Sequence, residues 1–297
     1  MGGIVDKALA VIEMTRPPNS LMVALAVVIS LGIASGWRFE GLTIAELTLV
    51  LVASYSASAV AMIVNDIIDL ESDRINSPHR PLPSGRLSLR EARAAATILA
   101  IAGLAASTLV DMITTAFYIG VVAFATAYNA RLKKLGIIGN IVVAALVATP
   151  FVYGWAVYGR GLNVSLVFAA MVFTAVLGRE VVKGIPDVEG DRAAGVKTVA
   201  VLFGERAAAV VASLLYITSI VLSAVPLALR QVNLYTYVPL VTILVIAMLV
   251  EIALLWRNPT REFVLSHKRR VLGYMLLGLV AIALSTSELS FINLFST

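Results

Sequence analysis

The sequence predicts an all-α membrane protein, a bundle of nine transmembrane helices, on two observations. The 297-residue chain is 60% hydrophobic and only 14% charged, with a mean hydropathy of +0.93. A soluble domain is normally nearer one half apolar. Nine stretches carry no Asp, Glu, Lys or Arg: 17–37, 47–65, 94–110, 112–130, 135–159, 161–178, 207–229, 231–250 and 271–287. Each is long enough to cross as a helix, which takes roughly 17–25 residues, and none alternates apolar with polar as a spanning strand does.

The first stretch follows Asp6, Lys7, Glu13, Arg16 and a Pro17-Pro18 pair with no small-residue cleavage site, so it reads as a retained helix and not a signal peptide. The Gly/Ala-rich runs 94–108 and 141–148 let helices approach closely and leave an apolar groove elsewhere. The connections alternate between charge-poor and charge-rich. The poor ones hold Arg38, Arg160 and Arg230 as their only cations, leaving 20 of the 23 Lys plus Arg to the other face. That bias puts the rich face and the N-terminus in the cytoplasm and, after nine crossings, the C-terminus outside. Trp37, Tyr158, Tyr235 and Tyr237 are then expected in an interfacial aromatic belt.

With no cysteine and only His79 and His267, disulfides, thiolate nucleophiles and Cys/His zinc sites are excluded. The net charge of +5 and pI near 9.6 come from membrane-flanking loops, where topology accounts for them, so no nucleic-acid partner is expected.

The chemistry is concentrated in two acidic segments. Asn65, Asp66, Asp69, Glu71 and Asp73 end the second stretch, and Asp187, Glu189 and Asp191 follow the sixth. Aligned on Asp69 and Asp187, both read D-[L/V]-E-x-D-R, 118 residues apart, so the chain is expected to be a single domain over 1–297 with an internal pseudo-repeat. Four expected helices lie between the motifs, which returns both to one membrane face. Helical spacing (65, 69, 73 and 187, 191) projects the oxygens of each motif from one side, half of a metal cage apiece. Crowded carboxylates at a membrane boundary require cationic compensation. Oxygen donors without His or Cys suit Mg²⁺, which commonly bridges carboxylates to a substrate's phosphates. The alternative is a solvated loop whose acids pair with Arg74, Arg192 and Lys183.

The Pro/Gly-punctuated loop Arg74–Arg86 follows, with cations beside the acids, as a lid over an anion would have. Here the chain resembles the UbiA superfamily of intramembrane prenyltransferases. N-D-x-x-D-x-x-x-D stands at Asn65, Asp66, Asp69 and Asp73, then N-x-P-x-R-P-L-P-S-G from Asn76 to Gly85, and K-x-x-x-D-x-x-x-D at Lys183, Asp187 and Asp191. Arg16, Asn19, Tyr128 and Lys133 carry the resemblance over nearly the whole chain. It implies that Asn65, Asp66, Asp69, Asp73, Asp187 and Asp191 hold two Mg²⁺ ions on the diphosphate of an isoprenoid donor. It further implies that Arg80, Lys133, Lys183, Arg192 and Lys197 hold the outer diphosphate oxygens, and that Arg16, Asn19 and Tyr128 lie at the substrate pocket. Superfamily acceptors include aromatic acids and lipid phosphates. The segment Arg179-Glu180-x-x-Lys183-x-x-x-Asp187 is similar to that of the ether-lipid branch, implying geranylgeranyl diphosphate as donor and geranylgeranylglyceryl phosphate as acceptor. A hydroxybenzoate or naphthoate acceptor is the alternative. A secondary transporter fits less well, because its acids belong near the bilayer middle. The D-G-x-x-A-R signature of CDP-alcohol phosphotransferases does not occur.

Overall fold

The computed structural model describes residues 3–193, 195–257 and 260–295, and these are helical with no strand among them. They form two compact units, residues 1–28 with 41–131, and residues 29–40 with 132–297.

The helices of the first unit are α1 (Ile4–Met14), the start of α2 (Pro17–Ser35), α3 (Ile44–Ile68), α4 (Leu70–Asn76), α5 (Leu89–Thr108) and α6 (Met112–Ala130). The ends follow local chemistry. Thr43 and Ser88 each cap a helix, accepting from the backbone N–H of Glu46 and Glu91, whose carboxylates accept in return from the cap residues. Asp111 caps α6 by accepting from Thr114 N at 2.6 Å. The break between α1 and α2 falls at Arg16, held at φ 47° before two prolines that cannot donate. α3 packs against both α5 and α6. Gly103 makes room there: a Cβ would lie 2.6 Å from the Tyr118 ring, whose hydroxyl donates to Ala100 O. The Arg74–Arg86 loop is pinned by the buried Leu82 and Leu87, which pack with Ala10, Met14, Ile63 and Ala92.

The second unit begins with the end of α2 and a 3-10 turn (Leu132–Leu135). It continues with α7 (Ile137–Ala148), α8 (Pro150–Tyr158), α9 (Leu162–Lys183), α10 (Val188–Ala193), α11 (Val199–Phe203), α12 (Glu205–Leu222), α13 (Val225–Ala228), α14 (Leu234–Arg257) and α15 (Arg261–Phe295). α9 packs against α7, α8 and α12, and α14 against α15. Pro150 breaks the span between α7 and α8, which meet at 47°. Ser30 bridges the backbone beyond the break, donating to Phe151 O and accepting from Gly154 N.

Among the described residues, seven helices are long and apolar enough to cross a membrane, or eight with the bent α7–α8 pair as one. The ninth expected span, 94–110, lies in α5, where Ala, Gly, Ser and Thr replace larger apolar side chains and Arg90, Glu91 and Arg93 occupy the first turns. Two boundaries also move. Glu251 and Arg270, read as ends of charge-free stretches, lie inside α14 and α15. Tyr237 does not join an aromatic belt: it is wholly buried, and its hydroxyl donates to Ser223 O.

Candidate active site

The first motif sits where α3 gives way to α4. Asp69 is the hinge residue (φ −84°, ψ 3°), yet Asp69 N still donates to Asn65 O at 2.9 Å and Asp73 N to Asp69 O at 2.8 Å. The i, i+4, i+8 relation of residues 65, 69 and 73 therefore survives the break between helices. Asn65 Nδ2 donates to Asp69 Oδ2 at 3.0 Å and to Asn129 Oδ1 at 3.2 Å, while Asn129 Nδ2 donates to Ala61 O. Asn129, buried on α6 beside the half-buried Tyr128, was not singled out in the sequence, where it has neither charge nor a motif partner.

Asp66 and Asp73 are buried, and a carboxylate at that depth needs a cation. Arg16 Nη2 lies 2.6 Å from Asp66 Oδ1, and Arg80 Nη1 lies 2.6 Å from Asp73 Oδ2 and 3.5 Å from Asp66 Oδ1. Both are among the predicted site cations, and they converge on the motif from the α1–α2 break and from the loop. Asn19 is half-buried in the first turn of α2, its N–H donating to Arg16 O. Arg74 instead pairs with Glu71 on the exposed side. Of the cations that a merely solvated loop called for, Arg74 thus meets an acid of this motif, but Asp66 and Asp73 take Arg16 and Arg80 instead. The side chain of Asn76, in the loop signature, lies outside the described residues.

The second motif follows α9. Asp191 N donates to Asp187 O at 2.8 Å, which keeps the expected i, i+4 spacing over α10. Asp187 is exposed and Asp191 half-buried. Burial and the neighbouring Asp187 charge hold the Asp191 carboxyl above the usual carboxylate range, against the opposing hydrogen bond from Thr198. Arg192 and Lys197 are exposed. Lys197 is tied by its backbone to the segment carrying Lys133: its carbonyl accepts from Ile137 N at 3.2 Å, over a Gly136 with φ 60° where a Cβ would stand 2.0 Å from that oxygen. Lys183, at the end of α9, bonds Glu180 at 2.5 Å.

Among the described residues no group of three or more Asp, Glu or His side chains stands ready-made around one metal position. Half-cages are met only in part: Asn65 and Asp69 pair, while Asp66 and Asp73 turn to arginines. The donor set nonetheless fits a hard divalent cation. It offers carboxylate and amide oxygens without nitrogen or sulfur ligands, and at Asp191 a half-buried acid crowded by another, a state that a cation relieves.

Comparison with known proteins agrees with this chemistry. The digeranylgeranylglyceryl phosphate synthase of Sulfolobus acidocaldarius is 35% identical over 206 residues, 69% of this chain and 74% of that protein. That of Thermococcus gammatolerans is 36% identical over 241 residues, 80% of this chain and 85% of that protein. A solved digeranylgeranylglyceryl phosphate synthase structure superimposes with a TM-score of 0.73 at 28% identity, over 95% of this chain and 99% of that one. A UbiA homologue from Archaeoglobus fulgidus bound to GPP and Mg²⁺ shares the fold, with a TM-score of 0.67 at 18% identity over 92% and 99% of the two chains. The model of the UbiA prenyltransferase family matches residues 21–266, which include both aspartate motifs and the loop between α4 and α5. This chain belongs to the UbiA prenyltransferase family.

Proposed function

We propose that the protein transfers a geranylgeranyl group from geranylgeranyl diphosphate to the free hydroxyl of geranylgeranylglyceryl phosphate, releasing diphosphate, in the synthesis of archaeal ether lipids. The observation that carries the donor chemistry is the buried Asp66–Asp73 pair with Arg16 and Arg80 against it. The relatives named for this synthase, at 35–37% identity, support the acceptor. On this reading the chain works as one domain across its two units, with both aspartate motifs on the cytoplasmic face at a single site, the N-terminus cytoplasmic and the C-terminus outside. Charge asymmetry supports that orientation.

Asn65, Asp66, Asp69, Asp73, Asp187 and Asp191 would hold Mg²⁺, which when bound screens the diphosphate and stabilises the charge that builds on it as it leaves. The remaining groups of the chain act on the same charge. Arg80, Lys133, Lys183, Arg192 and Lys197 present cations to the outer diphosphate oxygens in a low-dielectric site, where removing one such contact typically costs roughly 3 kcal/mol of transition-state stabilisation. Asp66 and Asp73 orient Arg80 for that purpose, and Asp66 orients Arg16 at the substrate pocket. Asn19 and Tyr128 border the pocket in which the C1–O bond of the donor breaks. The ether bond forms to the glycerol oxygen, whose proton leaves to diphosphate, water or a nearby carboxylate.

The test is product formation by purified protein given labelled geranylgeranyl diphosphate, Mg²⁺ and either geranylgeranylglyceryl phosphate or 4-hydroxybenzoate, with an EDTA control. Metal-dependent transfer to the glycerol phosphate supports the proposal. Transfer only to the aromatic acid moves the protein to quinone synthesis, and no transfer to either defeats the prenyltransferase reading.

A further inference from the structure

Glu180 is buried on α9, and a carboxylate there must be compensated. Lys183 Nζ lies 2.5 Å from its Oε2, and Arg179 Nη1 3.4 Å from its Oε1. A third cation comes from a distant part of the chain: Lys268 of α15 lies within electrostatic range of Glu180, and also of Lys183, Arg179 and Asp187. Three cations share one buried acid, and α15 packs against α9. Arg179 Nε is also buried without a hydrogen-bond partner, an N–H donor that permanent protonation keeps in search of an acceptor.

The register of α15 is fixed independently. His267 Nδ1 lies 2.8 Å from Glu251 Oε2 on α14, Arg270 bonds both oxygens of that carboxylate, and Tyr274 reaches it at 3.3 Å. The opposite ring nitrogen, His267 Nε2, meets the Tyr216 hydroxyl of α12 at 2.8 Å. His267 and Arg270 are thereby committed to Glu251. Lys268 follows His267 about 100° round the same helix, so its backbone position is fixed along with theirs.

We propose that Arg179, Lys183 and Lys268 form the site for the phosphate monoester of the acceptor, with Glu180 holding the cations in place. The inference rests on the glycerol-phosphate reading of the acceptor and names the residues that recognise it. A phosphate monoester carries about −1.5 to −2 charge at neutral pH. The cluster, three cations against Glu180 and the nearby Asp187, is one positive charge in excess. A guanidinium fork beside two ammonium groups suits three phosphate oxygens. The donor's diphosphate is answered by the aspartate motifs with Arg80, Lys133, Arg192 and Lys197; Lys183, four residues before Asp187, serves both anions, while Arg179 and Lys268 are left to the acceptor. Lys268 lies just beyond the residues that the family model matches, and its partners are 85 or more positions away in sequence.

The experiment measures KM for each substrate separately in wild-type protein, K268Q, K268R and R179K, each checked for monodispersity in detergent. Glycerol 1-phosphate serves as a soluble competitor. The expected result is a rise of roughly tenfold or more in acceptor KM for K268Q, with donor KM within about twofold. K268R should recover most of the loss, and glycerol 1-phosphate should compete more weakly against K268Q by a similar factor. R179K, which keeps the charge and removes the fork, should raise acceptor KM in the same sense and tests the proposal if K268Q does not fold. An unmoved acceptor KM, or a donor KM that rises in step, overturns the acceptor site while leaving the transferase reading intact. A wild-type protein that prenylates only an aromatic acid overturns both.

Discussion

Arg16 and Asp66, fifty residues apart in sequence, meet at 2.6 Å. The arginine leaves the α1–α2 break with φ 47°, a conformation that costs a non-glycine residue roughly 1–3 kcal/mol, and its guanidinium covers a carboxylate that is 4% exposed. Asp66→Asn removes the charge that orients both Arg16 and Arg80. Transfer should fall about 10²–10³-fold in kcat, with the protein still inserted and monodisperse. An Asp66→Asn protein with near-native turnover would remove this carboxylate from the chemistry.

Gly136→Ala asks a Cβ to stand 2.0 Å from Lys197 O at a positive φ. The α7 entry and the Lys197 segment must part, so thermal unfolding in detergent should shift down by an amount equivalent to about 1–3 kcal/mol. Turnover should fall as well, because Lys133 and Lys197 lose their common anchor. Unchanged melting would mean that the two segments are not held together at this point.

Glu251 is a buried carboxylate shared by His267 and Arg270. Glu251→Gln, which strands the arginine, should cost about 3–5 kcal/mol of stability, His267→Ala, which leaves Arg270 on the carboxylate, should cost less, and a double-mutant cycle should give a coupling of roughly 0.5–3 kcal/mol. Gly178→Ala probes the same network from α9, because its new Cβ would lie 2.9 Å from the Tyr216 ring. It should raise acceptor KM through displaced Arg179 and Glu180. Additive single effects at 251 and 267 would separate those two groups.

The Asp191 carboxyl is held above its ordinary value of 3.8 by burial and by Asp187. A folded-state pKa above the unfolded one gives stability that is present below about pH 4 and lost as pH rises through the raised value. Without divalent cation, the melting temperature should therefore decline across that window, and Asp191→Asn should flatten the decline. Mg²⁺ should stabilise most on its alkaline side, where the carboxylate is ionised. A wild-type profile identical to that of Asp191→Asn would show that this acid does not drive the pH dependence.

Local spacing made the geometry within each motif legible. Asn65, Asp69 and Asp73, and likewise Asp187 and Asp191, keep their i+4 geometry because each pair lies within about one helical turn. What sequence alone did not reveal depends on contacts between distant segments. Asn129 is uncharged and meets Asn65 across 64 residues; Lys268 comes within electrostatic range of Glu180 across the whole of α12 and α14. Glu251 and Arg270 looked like helix ends because an isolated charge is costly in a span. Once paired with each other they sit inside helices, and the spans lengthen around them. The 94–110 run falls in a helix, α5, that starts five residues earlier and takes Arg90, Glu91 and Arg93 into its first turns.

The central claim is that the two aspartate motifs serve one Mg²⁺-diphosphate site. It is tested most directly by equilibrium binding of labelled geranylgeranyl diphosphate, with and without Mg²⁺, to wild-type protein, Asp69→Asn, Asp191→Asn and the double variant. One shared site predicts that each single change removes most of the Mg²⁺-dependent affinity and that the double variant loses little more than either, since groups acting as a unit are strongly non-additive. Losses that add, or an Asp191→Asn protein that binds as wild type does, would contradict it.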